Sequence, residues 1–403
     1  AGVQFVKHGL KVQVFLGGSV EGEGERRTDA LVLDTDSRAA QPDISYERVR
    51  NAGRIIKQVS SARPLVFKKI DSTLRGNLGA EIDAAMAEFD FEWAAVAPAF
   101  PVNGRITVGG WHLLHQVPIA ESEISRDPKT PVYESLLPTL LATQSHHKVE
   151  HVYLADVCKG VNAVMRRIKE IRQDGAKVVS FDASTQTHLQ TIATAIAATE
   201  AAALWVGSAG LAEVIPAVMG WPQAEQTVTP GGSGPVLVVA GSVSYVTARQ
   251  MNRFLTGDNV HLVSLQVDAL ISHEAEEVQR CAQEALSQLA AGRDVLLASA
   301  VAEGSVVQGC SEIVAASMGK VVAQLASEKL AGLFLTGGDT AVSVCRALGV
   351  NAIDILAEVL PGIPLGQLNG GCCPGLRVVT KAGAFGGENA IVEAVKVLKG
   401  RTA

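Results

Sequence analysis

Six cysteines in 403 residues, none of them in a C-x-x-C pair, are too few and too irregularly spaced for a disulfide framework or a zinc module. They stand at Cys158, Cys281, Cys310, Cys345, Cys372 and Cys373, and the adjacency of the last two suits reduced thiols in a cytoplasmic protein. Positive charge is not in excess either: 35 Lys and Arg face 41 Asp and Glu, and with no basic face in the sequence a nucleic-acid partner is not expected. The longest apolar runs, "AALWVGSAG" and "PVLVVAGSV", fall far short of the roughly 20 residues that cross a bilayer. No secretory leader is visible, and there is neither a fixed-period repeat nor a long low-complexity tract.

Several catalytic signatures are missing as well. None of the nine histidines forms H-E-x-x-H, no G-x-S-x-G elbow occurs, and "VGSAGL" lacks the required spacing. There is no G-x-x-x-x-G-K-[ST] loop and no G-x-G-x-x-G fingerprint with a suitably placed acidic residue. These absences argue against a zinc protease, an α/β-hydrolase, a P-loop NTPase and a dinucleotide-linked dehydrogenase. His112, His115, His146 and His147 are read as surface or structural.

What is present is a regular alternation. "KVQVFL", "ALVLDT", "PLVFKK", "WAAVAP", "HVYLAD" and "KVVSFD" are strand-length runs rich in Val, Leu and aromatics, while "GVNAVMRRIKEIRQDG" carries apolar residues at helical spacing. "AALWVGSAGLAEVIPAVM" closes this half, "QAEQTVTPGGSG" at 223–234 reads as a linker, and strand and helix then alternate again to the C terminus. The expectation is an α/β protein of two domains, 1–226 and 227–403, each a mainly parallel sheet covered by helices. The opening "VQFVKHGLKVQVFLGG" reads as a helix entering a strand, an unusual start for such a domain, and residues upstream are expected.

In open parallel sheets ligands gather at the carboxyl ends of the strands. "LVFKKIDSTLRGNLGAEI" places Lys68, Lys69, Asp71, Ser72, Arg75 and Asn77 at such an end, where Lys and Arg can hold an anionic group and Asp, Ser and Asn can read hydroxyls. "APAFPVNGRIT" presents Asn103 and Arg105 after another strand, and "LDTDSRA" presents Asp34, Asp36, Ser37 and Arg38 after a third. Together they suit a small, acidic, polyhydroxylated ligand; the plainer alternative is a solvated loop, with a helix cap at Ser72 or Thr73 and a local Asp–Arg pair. In the second half "VVAGSVSYVT", "FLTGGDTAV" and "VTKAGAFGGEN" are strand-to-helix turns stripped of large side chains. Glycine lets backbone approach a ligand, N–H groups opening a helix attract anions, and the hydroxyls of Ser242, Ser244 and Thr340 with the charge of Lys381 suggest a nucleotide-phosphate site. Asp339 is a candidate magnesium partner or base.

Taken in order, "KKIDSTLRGNLGAE", "APAFPVNGR", "RDPKTP", "LWVGSAGLA", "VAGSVSYVTARQ", "LTGGDTA", "LPGIPLG" and "VTKAGAFGG" resemble the four-carbon acid sugar kinase family through nearly the whole chain. "GVQFVKHGL" and "LVLDTDSRA" look more like its D-threonate and D-erythronate kinases than its 3-oxo-tetronate kinases. The resemblance implies an N-terminal domain for the sugar acid, a C-terminal domain for ATP with Mg2+, and transfer of the γ-phosphoryl group to the terminal hydroxyl. It assigns Lys69, Asp71, Ser72, Arg75 and Asn77 to the substrate side, to which the strand ends add Asp36, Arg38 and Arg105, with Arg75 and either Lys69 or Arg105 on the carboxylate. It assigns Ser244, Gly337, Gly338, Asp339, Thr340 and Gly383 to the nucleotide side, to which the Gly-rich turns add Ser242, Lys381 and Gly386, and Asp71 or Asp339 takes the proton. The Asp-Asp-x-Thr-Gly loop with which family members open has no counterpart in these residues. A non-catalytic acidic-sugar or nucleotide-binding protein is the competing reading, and a homo-oligomer is compatible with either.

Overall fold

A short helix (Gly2–Val6) and then two short strands, β1 (Val12–Phe15) and β2 (Ala30–Leu33), come first in the computed structural model, which describes residues 1–16, 28–60, 64–127, 129–199, 202–224, 231–241, 244–299 and 310–401. Then follow β3 (Phe67–Lys69), β4 (Trp93–Ala97), β5 (Arg105–Val108), β6 (Trp111–Leu114), β7 (Val117–Pro118), β8 (Val149–Val152), β9 (Val178–Phe181) and β10 (Ala203–Gly207). The second half adds β11 (Val236–Ala240), β12 (Val260–Ser264), β13 (Asp294–Ala298), β14 (Gly332–Thr336), β15 (Val350–Leu360), β16 (Ile363–Gly370) and β17 (Arg377–Lys381). Contacts divide the chain into two compact units, one of Ala1–Gly9 and Leu33–Glu225, the other of Leu10–Leu16, 28–32 and Gln226–Ala403.

In the first unit a five-stranded sheet runs β3-β10-β4-β9-β8 with every pairing parallel. All residues of β4 and β9 are buried, as expected of strands covered on both faces. The helix Leu78–Phe89 contributes Leu78, Ile82, Ala85 and Met86 to one side of the core, where they meet Leu137 and Leu141. The helix Val161–Gln173 buries Val164, Ile168 and Ile171, the apolar stripe legible in its sequence. β5, β6 and β7 form a separate antiparallel sheet.

One buried carboxylate ties that small sheet to the large one. Asp182, just past β9, accepts hydrogen bonds from the backbone N–H of Gly109 (2.7 Å), Gly110 (2.9 Å) and Leu154 (2.9 Å), and from His151 Nε2 (2.9 Å). Burial alone would raise its pKa, but the His151 hydrogen bond and the backbone donors outweigh that and hold it below the ordinary carboxylate value. Its stabilising effect is therefore complete above the unfolded-state pKa of about 4 and is lost as pH falls through the lower folded value. Asp182→Asn is expected to cost about 2–4 kcal/mol at pH 7, because buried donors lose a charged acceptor. Denaturant melts should show that gap narrowing at acid pH; a constant gap would exclude the linkage.

In the second unit the sheet order is β12-β13-β11-β14-β17-β16-β15-β1-β2. From β12 to β17 the pairings are parallel; β17–β16, β16–β15 and β15–β1 are antiparallel. β1 and β2 thus correct the expectation that "KVQVFL" and "ALVLDT" belong to the first domain's sheet. β15 is 11 residues long, and β1 lies along it with Val12 opposite Ile355 and Phe15 opposite Ala352, Val12 and Phe15 being buried. An uncovered edge of that length would leave a row of unpaired backbone groups; periodicity identifies a strand but says nothing of its partner. The expected linker at 223–234 lies largely outside the described residues, and no helix among them is long and apolar enough to cross a membrane.

Candidate active site

β3 ends at Lys69, paired with Gly207 of β10, and the N–H of Ile70 continues the ladder to the Gly207 carbonyl. The chain then turns through Asp71–Gly76 before the helix Leu78–Phe89 begins. Two members of the turn take left-handed backbone, Leu74 at φ 60° and Gly76 at φ 102°. At Gly76 an added Cβ would meet Arg38 Cγ at 3.3 Å, so glycine lets the Arg38 loop close against the turn.

Asp71 is the hub of the cluster. It receives Arg75 Nε at 2.5 Å and Thr73 Oγ1 at 3.1 Å. Burial would raise its pKa, but Arg75, Lys69 and Arg38 together hold it well below the usual carboxylate range. Arg75 in turn reaches Asp127 Oδ2 through Nη1 at 2.8 Å, and the two carboxylates keep its guanidinium charged against its own burial. Asp127 lies in the "RDPKTP" stretch and accepts from the Thr130 and Lys129 N–H groups at 2.9 and 3.0 Å. The local Asp–Arg pair of the solvated-loop reading is therefore real, but it is one link in a longer chain. The capping part of that reading fails: Ser72 and Thr73 lie in the turn, and the helix starts after Asn77.

Lys69 keeps its side chain accessible while protein crowds it; loss of hydration lowers its pKa most, Asp71 opposes that, and Arg38, Lys68 and Arg75 lower it further. Lys68 points elsewhere, to Glu81 Oε2 at 2.5 Å. Arg105, on β5, is buried, donates to the Asn103 carbonyl, and feels Asp71, Glu123 and Arg75 electrostatically; desolvation is the main cause of its lowered pKa. Arg38, Lys69, Asp71, Arg75 and Arg105 are thus brought into one electrostatic cluster at the carboxyl edge of the sheet.

The remaining substrate-side expectations fare differently. Asp36 is 75% exposed and faces Arg48 at 3.8 Å, with left-handed backbone at φ 45°. Asn77 directs Nδ2 to the Ser37 carbonyl (3.3 Å), the Ala40 carbonyl (2.8 Å) and Ser45 Oγ (2.7 Å), which makes it a brace for the Arg38 loop rather than a reader of ligand hydroxyls. Ser72 is buried, and its carbonyl accepts from His112 Nε2 at 2.9 Å. His112 is wholly buried, accepts from Thr107 Oγ1 at 3.0 Å, and with its pKa pushed down to about 4 by burial it is neutral at pH 7. Its structural reading from the sequence fits that position.

In the second unit the three Gly-rich turns follow β11, β14 and β17, which are consecutive neighbours in the sheet. Ser244 caps the helix Tyr245–Leu255, accepting from the Thr247 N–H at 3.1 Å. Gly337, at φ 102°, leads into the helix Gly338–Ala347, whose first turn presents Asp339 at the surface and buries Thr340. Gly241 sits against that helix: a Cβ there would come within 2.2 Å of Thr340 Oγ1. Ser242 lies outside the described residues.

Lys381 is placed differently from the outward phosphate clamp that its sequence position suggests. It is 3% exposed, and Nζ donates to Thr247 Oγ1 (3.2 Å) and to the carbonyls of Ala382 (3.1 Å) and Gly383 (2.9 Å). Burial pushes its pKa down to about 7. The Gly383 carbonyl also accepts from Ser244 Oγ at 2.8 Å and Thr247 Oγ1 at 2.9 Å. Gln250 is buried beside it, with Nε2 within 3.0, 3.1 and 2.9 Å of the Phe385, Gly386 and Gly387 carbonyls. Thr247 and Gln250 were not anticipated, although "VAGSVSYVTARQ" contains both; Asp127 and Asp182 were likewise missed, because Arg75, 52 residues from Asp127, and the Gly109, Gly110, His151 and Leu154 donors to Asp182 are distant in sequence. No group of three or more metal-binding side chains occurs among the described residues. An exposed carboxylate such as Asp339 suits Mg2+, which keeps most of its waters and binds chiefly through nucleotide phosphates.

Comparison with known proteins assigns the two halves separately. Residues 1–215 match the family model of a sugar-binding N-terminal domain, and 237–391 match that of a nucleotide-binding C-terminal domain. A D-threonate kinase of Salmonella typhimurium is 35% identical over 98% of this chain and 94% of its own length. A D-erythronate kinase of Heliobacterium modesticaldum is 34% identical over 98% and 93%. A 3-oxo-tetronate kinase of Cupriavidus necator is 30% identical over 98% and 93%. Among solved structures, a Salmonella typhimurium protein described as a putative tRNA synthase superposes with a TM-score of 0.82 at 24% identity, covering 98% of this chain and 95% of that one. At that identity the likeness is one of fold.

Proposed function

The chain belongs to the four-carbon acid sugar kinase family, and on that premise we propose that it transfers the γ-phosphoryl group of ATP to the terminal (4-) hydroxyl of D-erythronate or D-threonate. It is a sugar-acid kinase; the choice of acid, the magnesium ion and the residue roles are the parts proposed. The observation that carries the substrate class is the cluster of Arg38, Lys69, Arg75 and Arg105 around the single ionised Asp71. Four cations against Asp71 and Asp127, with Glu123 near Arg105, still leave an excess of positive charge, which suits a substrate carboxylate, and an Arg fork held by Asp71 and Asp127 is already oriented to receive it.

Phosphoryl transfer with a loose transition state depends on alignment and charge neutralisation more than on a strong base. A carboxylate of depressed pKa is a weak proton acceptor, so Asp71 orients a substrate hydroxyl and anchors Arg75. On the nucleotide side the turns after β11, β14 and β17 would cradle the phosphates, and Asp339 would hold a magnesium ion, which would supply positive charge to offset that on the transferring group. A coupled ADP-release assay with Mg2+ and ATP, run against D-erythronate, D-threonate, L-threonate and 3-oxo-tetronates, tests the reading. Turnover is expected on D-erythronate or D-threonate. Turnover on 3-oxo-tetronates alone would move the chain to the other branch of the family; none on any acid, with ATP bound, would mean that the acceptor is misassigned.

A further inference from the structure

The turn after β17 shows a polarity that its glycines alone do not explain. Five of its carbonyls, those of Ala382, Gly383, Phe385, Gly386 and Gly387, converge on side-chain donors: Lys381 Nζ takes the first two, and the last three crowd around Gln250 Nε2 and share its two N–H groups. Every peptide in the described chain is trans. In a trans peptide the N–H points opposite to the C=O of the same unit, so the amides of Gly383, Ala384, Gly386, Gly387 and Glu388 are turned away from Lys381 and Gln250. Ala384, Gly386 and Gly387 are exposed, and the amides of Gly383, Ala384, Gly386 and Gly387 have no acceptor among the described residues. Successive outward N–H groups form an anion-binding concavity. Left to itself a six-residue turn exposes a mixture of carbonyls and amides, and carbonyls repel phosphate.

We infer that Gln250 and Lys381 are positioning residues of the nucleotide site: they draw the carbonyls of the 382–387 turn inward and leave its amides outward to hold nucleotide phosphates. The inference rests on the nucleotide-binding part of the proposed function. Neither side chain touches the nucleotide. Lys381 acts as a three-fold donor inside the protein, and Thr247 completes the arrangement by accepting from Lys381 (3.2 Å) while donating to the Gly383 carbonyl (2.9 Å). Gln250 suits this role because a neutral amide can share its two N–H groups among these carbonyls without an unpaired buried charge.

The test uses the full chain and measures ATP and ADP binding by calorimetry with Mg2+, sugar-acid KM, and thermal melting for Gln250→Leu, Gln250→Glu, Lys381→Met and Lys381→Arg. Gln250→Leu, Gln250→Glu and Lys381→Met are each expected to weaken ATP and ADP by about tenfold or more, to similar extents, with the sugar-acid KM within about twofold. Lys381→Arg, which keeps donors and charge, should recover part of the loss. Gln250→Glu keeps the shape of the side chain and turns a donor into an acceptor, so it stands in if the leucine variant fails to fold. Wild-type ATP affinity in a well-folded Gln250 or Lys381 variant would overturn the inference, and so would a Lys381→Met loss confined to ATP, which would mark a direct γ-phosphate contact. A wild-type chain that binds ATP yet phosphorylates no sugar acid leaves the inference standing and rejects the acceptor assignment. One that binds no ATP rejects the nucleotide reading and the inference with it.

Discussion

Arg75→Met is expected to lower kcat/KM for the sugar acid by roughly a thousandfold, about 4 kcal/mol, while the KM for ATP stays within about twofold. The size follows from what the side chain does at once. Its Nε and Nη1 bridge Asp71 and Asp127 at 2.5 and 2.8 Å, so methionine removes a proposed substrate anchor and also leaves two partly buried carboxylates without their shared cation. A fall in thermal stability should accompany the kinetic effect. The pH profile supplies a third readout: Asp71 is held low partly by Arg75, so without it the Asp71 pKa rises and the acid limb of kcat/KM moves to higher pH. Arg75→Lys keeps the charge but not the planar fork and should retain intermediate activity. A rise in ATP KM with unchanged sugar-acid KM would place Arg75 on the wrong substrate.

Asp339→Asn should reduce kcat by about a hundredfold or more with almost no change in melting temperature. Asp339 is exposed in the first turn of the helix Gly338–Ala347. There the loss of a negative charge from a helix N-terminus costs under about 1 kcal/mol. The catalytic expectation comes from the proposed magnesium role, so the diagnostic measurement is a metal titration: the variant should need about tenfold more Mg2+ for half-maximal rate at fixed ATP. An unchanged titration curve with an unchanged kcat would remove Asp339 from the site. If kcat falls while the Mg2+ dependence stays the same, Asp339 acts on the acceptor proton instead.

Much of the architecture is legible because its signals are local. β4, β9, β11, β13 and β14 are short apolar runs bounded by helical stretches, and all are fully buried in parallel sheets as such runs require. Their order is not local. β1 and β2 read as strands of the first sheet by position, yet β1 pairs with β15 more than 300 residues along the chain, and β2 joins that sheet through β1. The antiparallel strands β15 and β16 were passed over as secondary structure because "LPGIPLG" was read only as part of a motif, although its turn joins their ends.

The candidate site divides in the same way. Residue types at the ends of β3, β11, β14 and β17 suggest an anionic, hydroxylated ligand on one side and phosphate on the other, because charge, hydroxyls and glycine favour that chemistry wherever they are placed. What each side chain does was decided by tertiary structure. Asn77 looks like a ligand reader until the Ser37, Ala40 and Ser45 oxygens, 32 to 40 residues away, occupy its amide. Lys381 looks like an exposed clamp until burial turns its ammonium onto Thr247 and two carbonyls. Gln250 carries no signal by itself, since its partners lie 135 to 137 residues further on. The sequence by itself determined the α/β class and the kinase family, and it marked the strand ends proposed to hold the ligands. Only the fold decided which polar groups face the ligand and which face one another, because a hydrogen bond is satisfied by proximity in space and a linear sequence does not contain it.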